Sequence, residues 1–232
     1  MHTFFDLLAY STGALLFFLS NRSKTHSPVS PVRLFLLAAG AFGIGTFSAR
    51  LLVQFEGGLP VDLDTFMIGF GAGGKSIVGG LLGGILGVKL VKRFLKKDES
   101  QTERMSFGDR TVVPIGVGLC IARVGCFLSG MSDDTYGIPT HLPTGWDFGD
   151  GISRHPAQIY EIIGTVVTVG LVKFFWKKAR QPGDRFGWFL LGFCVLRFLL
   201  EFVKIHPTPY FGLSVYQVLC LVGAVWAIRG KF

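Results

Sequence analysis

The amino-acid sequence predicts an all-α integral membrane protein of about seven transmembrane helices. Three observations carry this. Half of the 232 residues are hydrophobic and only 16% are charged, where a soluble domain carries about 25% charged residues. The mean hydropathy is +0.50. The charges are clustered, and the apolar runs between them approach the roughly 20 residues that a bilayer demands of a helix.

Reading for such runs gives candidate spans at 3–20, 32–54, 76–95, 111–129, 156–176, 186–204 and 213–229. The first contains Asp6, and Met1-His2-Thr3 is not the basic start of a cleaved signal, so it is expected to be an uncleaved span. One bundle then uses 1–232 as a single transmembrane helical domain. The third span begins GAGGKSIVGGLLGGILG (71–87). Gly69 and its Gly-Lys-Ser have P-loop spacing, but the segment is expected to face the wrong compartment for ATP. The small residues suit close helix packing, or a turn that brings backbone N–H groups to an anionic head group.

A net charge of +8 would suggest nucleic acid as a partner in a soluble protein. Here Lys and Arg mark cytoplasmic loops instead, and no nucleic-acid partner is expected. With the N-terminus outside and the C-terminus cytoplasmic, 17 of the 23 basic residues fall on the inner side. The remaining six are Arg50, Lys75, Arg123, Arg154, Arg197 and Lys204. They lie within spans or outside, where basic groups are costly and are functional candidates by default.

The outer loops are of another kind. Residues 55–75 hold Glu56, Asp62 and Asp64 among six glycines, and 130–155 hold Asp133, Asp134, Asp147 and Asp150 among Gly, Pro, Tyr and Trp. The second is expected to form an extracytoplasmic loop or small head, because a 26-residue stretch without obvious elements tends to be functional. Trp146 and Tyr136 suit its anchoring at the interface. The four cysteines (120, 126, 194 and 220) lie in predicted spans without ligand spacing. No metal site and no cofactor is expected.

Helix rise places the intramembrane charges. Counted from the inner ends of their spans, Arg123 lies roughly 18 Å up, Arg197 roughly 16 Å, Glu201 roughly 22 Å and Arg50 roughly 28 Å. Glu161 lies roughly 7 Å below the outer edge. Four helices therefore bring charge to the outer half of the bilayer, and the polar groups do not continue to the cytoplasm as a channel requires. Arg197 and Glu201 stand four apart and can pair. Three arginines against two glutamates, with Arg154 and His155 at the rim, leave room for an anion. A phospholipid phosphate suits the planar fork of arginine.

These residues resemble the bacterial prolipoprotein diacylglyceryl transferases. The resemblance runs from about Gly45 to Gln217. Its strongest piece is RHPAQIYE (154–161), followed by ARVGCFLSG with TYGIPT (122–140) and LRFLLEF (196–202). GGKSIVGGLLGG, SARL (48–51) and LSVYQ (213–217) resemble weaker family positions, and seven spans with the N-terminus outside is the family topology.

The resemblance implies a multi-pass protein of the bacterial plasma (inner) membrane. It would move a diacylglyceryl group from phosphatidylglycerol to a cysteine thiol of a lipoprotein precursor. Its partners would be an anionic phospholipid and secreted lipoprotein precursors. It further implies Arg123 and Arg197 as the phosphate clamp, Glu201 as the group orienting Arg197, and His155 or Glu161 as acceptor of the thiol proton. Arg154, Gln158, Tyr160, Gly125, Tyr136, Gly137, Arg50, Lys75 and Gln217 would line the substrate site.

The sequence also departs from the family. Val78 stands where typical members have His, Cys126 where they have Asn, and Ile138 where they have Arg. The stretch SGMSDDTYG is about three residues longer than its counterpart, with Asp133 or Asp134 as the nearest acid. Val78 cannot carry a proton, so the base must lie elsewhere. Cys126, close to Arg123, is either a packing variant or a covalent carrier. Two further functions use the same residues: transfer from the same donor to another acceptor, and phospholipid binding without chemistry.

Overall fold

The computed structural model describes residues 2–22, 30–56, 76–95, 106–205 and 212–229. Among them are seven helices of 15 to 26 residues and one two-stranded sheet. The helices are α1 (His2–Arg22), α2 (Pro31–Glu56), α3 (Ile77–Phe94), α4 (Phe107–Leu128), α5 (Ala157–Phe174), α6 (Asp184–Leu200) and α7 (Val215–Arg229). They fall on the seven predicted apolar runs. Five of them, α1, α2, α4, α5 and α6, are long and apolar enough to cross a membrane, and α7 is a shorter apolar helix. Large apolar side chains stand exposed along the helices, among them Phe18, Phe35, Phe94, Phe174 and Ile228. Such surfaces suit contact with lipid, and the helix is the element that satisfies its own backbone there. The protein is an all-α membrane protein.

Contacts group the chain into two compact units, residues 27–103 and residues 1–26 with 104–232. The first holds α2 and α3. Their small residues let the two backbones meet: a side chain at Gly79 would sit 2.8 Å from the Ser48 carbonyl, and one at Gly45 would sit 2.9 Å from the Gly80 carbonyl. Without a hydrophobic drive between helices in lipid, such close approach supplies the packing. Ser76 starts α3 by accepting from the Gly79 N–H, and its own N–H donates to the Ala49 carbonyl. Val78 is buried.

In the second unit α4 is central, packing on α1, α5 and α6, while α5 packs on α6 and α6 on α7. One carboxylate fixes the entry of two helices. Asp109, in the first turn of α4, accepts from the Ser106 N–H in a capping box. It also accepts the Gly183 N–H at 2.7 Å and the Phe186 N–H at 3.0 Å, at the start of α6. A buried acceptor that meets orphan helix N–H groups satisfies both sides. It thereby sets the register between α4, which carries Arg123, and α6, which carries Arg197.

The predicted outer loop is a built element. Strands β1 (Trp146–Asp147) and β2 (Ser153–Arg154) pair antiparallel, and Pro139 bridges to Arg154 on the other side of β2. The turn between the strands is organised by Asp147, whose Oδ1 accepts the N–H groups of Gly149, Asp150 and Gly151. Gly149 and Gly151 have φ of 112° and 78°, a region that glycine enters without strain. Aromatic contacts run from Trp146 to Phe127, from Phe127 to Phe148, and from Phe148 to Tyr136. This small head is therefore seated on the end of α4.

Candidate active site

The centre of the second unit is a single carboxylate. Glu161, buried in the second turn of α5, is gripped by Arg123 from α4 through Nε to Oε2 (2.8 Å) and Nη2 to Oε1 (3.2 Å). Arg197 of α6 approaches the same Oε1 at 3.5 Å, and Lys204 approaches Oε2 at 3.5 Å. Arg197 also donates through Nη2 to Glu201, one turn along, at 3.1 Å. Its guanidinium carbon lies 5.8 Å from the centre of the Tyr216 ring. Ser214 Oγ donates to the other Glu201 oxygen at 3.1 Å.

These groups are held in place by the ends of their helices. After Leu200 the chain tightens into a 3-10 turn over Glu201–Val203, which swings Lys204 back to the cluster. The backbone of Lys204 then bridges to Gly137, and Ile138 donates its N–H to the Val203 carbonyl. Gly137 is squeezed between strands: a side chain there would meet the Val203 carbonyl at 2.6 Å and His155 at 2.7 Å. At the start of α7, Ser214 and Gln217 cap one another, and the Gln217 amide reaches the Phe198 carbonyl.

Among the buried groups, three cations meet two carboxylates. A third carboxylate, Asp133 of the head, is half-buried and hydrogen-bonded to Thr135. It also hydrogen-bonds to Cys126, whose sulfur accepts from Arg123 Nη1 at 3.5 Å. Asp133 is thus the acid that the lengthened SGMSDDTYG segment brings to the site.

Above the cluster, the head presents His155. Its Nδ1 lies 3.3 Å from the Tyr160 hydroxyl, which lies 3.2 Å from Thr144 Oγ1. Arg154 is anchored by Asp150 at 2.6 Å and lies over the Tyr136 ring. The hydrogen bond from Arg154 holds the Asp150 carboxyl below the ordinary aspartate range.

Of the residues expected to form the site, Arg123, Glu161, Arg197 and Glu201 come together in one ion network, and Gln217 supports it through Ser214. Gln158, buried, stands on the α5 face of Glu161. His155, Tyr160, Arg154, Tyr136 and Gly137 build the head. Gly125 is where α4 admits α1, since a side chain there would meet Phe5 at 2.5 Å. Arg50 belongs to the other unit, and Lys75 lies outside the described residues. The expected site did not include Lys204, Ser214 or Asp109. Lys204 stood among the unassigned outer basic residues, and only the 3-10 turn after α6 reveals its direction. Cys194 and Cys220 are buried and share a hydrogen bond across α6 and α7.

The site lies in an all-α polytopic membrane protein that buries an arginine–glutamate–lysine network beside a small polar head. The match to known families agrees with it: residues 7–230 match the family of prolipoprotein diacylglyceryl transferases, and the chain belongs to that family. Among its relatives, the phosphatidylglycerol–prolipoprotein diacylglyceryl transferase of Pasteurella multocida is 33% identical over 198 residues, 80% of this chain and 70% of that protein. Proteins of the same name from Polynucleobacter necessarius and Nitratidesulfovibrio vulgaris are 35% and 36% identical, each over 64% of this chain. In both cases the match spans 56% of the relative's length.

Proposed function

We propose that this protein is a bacterial inner-membrane transferase that moves the diacylglyceryl group of phosphatidylglycerol to a cysteine thiol of a secreted lipoprotein precursor. The observation that carries the proposal is the convergence of Arg123, Arg197 and Lys204 on Glu161. This set of fixed cations sits in a water-poor interior, where they stabilise developing phosphate charge far more strongly than in water. The phosphate of the donor takes its place beside the two arginines, with Glu201 holding the Arg197 fork in orientation.

In the reaction the thiol sulfur forms a bond to the glyceryl carbon while that carbon's bond to the phosphate oxygen breaks. Glycerol phosphate leaves with the electron pair. The nucleophile is the thiolate, so a base must take the thiol proton. Glu161 has both oxygens engaged by three cations. His155, half-buried at the rim and oriented by Tyr160, is the proton acceptor in this scheme, in a chain where Val78 cannot serve. The deciding experiment is complementation. A host depleted of its own transferase is given this chain, and lipidation of precursors is read directly by mass. Unmodified precursor despite normal insertion of the protein would overturn the proposal.

A further inference from the structure

Two glutamines are buried in the second unit, Gln158 and Gln217. Gln217 is fully used: its Oε1 accepts the Ser214 N–H and its Nε2 donates to the Phe198 carbonyl. Gln158 is 0% exposed, yet neither its Oε1 nor its Nε2 has a hydrogen-bond partner among the described residues. Burial of an unpaired amide is costly, and buried polar groups in folded proteins are almost always satisfied. A leucine would pack there without that cost.

The position of Gln158 says what it serves. The buried stripe of α5 runs Gln158, Glu161, Thr165, Thr168, Val172, the spacing of one helix face. Thr168 satisfies itself on the Gly164 carbonyl, and Glu161 is the hub of the cations. Gln158 stands one turn before Glu161, roughly 4.5 Å along the axis, and one turn beyond His155 of the head. Along α5, Gln158 therefore stands between the carboxylate that the arginines hold and the head.

We infer that Gln158 recognises the two hydroxyls of the head-group glycerol and so sets head-group specificity, an inference that rests on the proposed function. A primary amide offers donors and an acceptor together. A vicinal diol matches both, since one hydroxyl donates to Oε1 while the other accepts from Nε2. An ammonium head group offers donors alone and leaves Nε2 unpaired. A trimethylammonium group offers neither.

The test compares phosphatidylglycerol with phosphatidylpropanol of the same acyl chains, which has the same charge and no head-group hydroxyl. Binding of each lipid to the purified full-length protein in nanodiscs of neutral lipid is measured for the wild type, Gln158→Leu and Gln158→Met. The expected result is that the wild type prefers phosphatidylglycerol by roughly tenfold or more. Both variants should bind the two lipids equally, with phosphatidylpropanol affinity unchanged. Their lipid-free melting temperatures should not fall, since no internal hydrogen bond is lost. Equal binding of both lipids by the wild type, or a preference that survives in the variants, overturns the inference and leaves the phosphate site standing. Unfolding of both variants also overturns it, because Gln158 would then be structural. Failure of the wild type to bind either lipid overturns the proposed function along with it.

Discussion

Arg123 meets Glu161 through two of its nitrogens, at 2.8 and 3.2 Å, across the contact between α4 and α5. Arg197 and Lys204 add themselves to the same carboxylate. Removing the negative charge therefore takes the shared carboxylate from Arg123 and Lys204 and leaves Arg197 with Glu201. Glu161→Gln should cost about 3–5 kcal/mol of stability, the usual result of breaking a buried pair from one side, and should abolish transfer. Adding Lys204→Met to Glu161→Gln removes one stranded charge. The double variant should then be more stable than Glu161→Gln alone, with a coupling above about 0.5 kcal/mol. Thermal unfolding of the wild type, Glu161→Gln, Lys204→Met and the double variant in one detergent checks this, and additive losses would remove Lys204 from the network.

The head should be sensitive to acid, but only to strong acid. Asp150 is held below its ordinary value by the hydrogen bond from Arg154. A depressed carboxylate contributes stability above its unfolded pKa, and that contribution disappears as pH falls through the folded one. The hairpin should thus be unchanged across neutral pH and loosen only below the ordinary aspartate value of 3.8. Asp150→Asn should reproduce the loosened state at pH 7. Hydrogen exchange of 146–154 reads both, and protection that falls between pH 8 and pH 5 would point to another group.

Cys126 accepts one arm of Arg123 at 3.5 Å and hydrogen-bonds to Asp133. A serine hydroxyl can do both. Cys126→Ser should therefore transfer as well as the wild type, and intact mass should show no lipid adduct with donor present. A covalent adduct on the wild type, lost with activity in Cys126→Ser, would instead make this thiol a carrier.

The insertion direction rests on the distribution of basic residues, and cysteine-labelling of intact cells can read it. Single cysteines placed in 130–155 should react with an impermeant reagent before rupture, and those in 92–104 only after it. The reverse order would put the head on the wrong side for secreted precursors.

Much of this architecture was legible because lipid imposes simple rules. Apolar length gave the seven helices. Helix rise brought Arg123, Arg197, Glu201 and Glu161 to neighbouring depths, and the four-residue spacing of Arg197 and Glu201 gave their pairing. What was not legible depended on how chains turn at helix ends. Lys204 joins the cluster because a 3-10 turn follows Leu200. Asp109 sits in an inner helix start, where an acidic cap is ordinary, and its bonds to Gly183 and Phe186 cross 74 residues or more of sequence. The hairpin of the head has strands of two residues each, too short for any alternation of side chains to show. Its backbone is set by one aspartate and two glycines.

The clamp itself is tested by the difference between two basic residues. Arg197 spreads its guanidinium between Glu161, Glu201 and the face of Tyr216, a planar group with five donors that addresses several acceptors at once. A lysine at this position keeps the charge but concentrates it at one point, and it cannot fork onto a phosphate. If the arginines serve phosphate, Arg197→Lys should lose transfer by roughly tenfold or more, close to Arg197→Ala, while keeping most of the stability that Arg197→Ala loses. If they serve only to neutralise Glu161 and Glu201, lysine should restore both properties together. Arg123→Lys should likewise lose transfer, but it should also lose stability, because Nε and Nη2 both bond Glu161 and a lysine cannot replace both contacts. The measurements are transfer to a synthetic precursor peptide, binding of phosphatidylglycerol, and melting temperature. Normal lipid binding by a folded Arg123→Ala/Arg197→Ala double variant would refute the clamp.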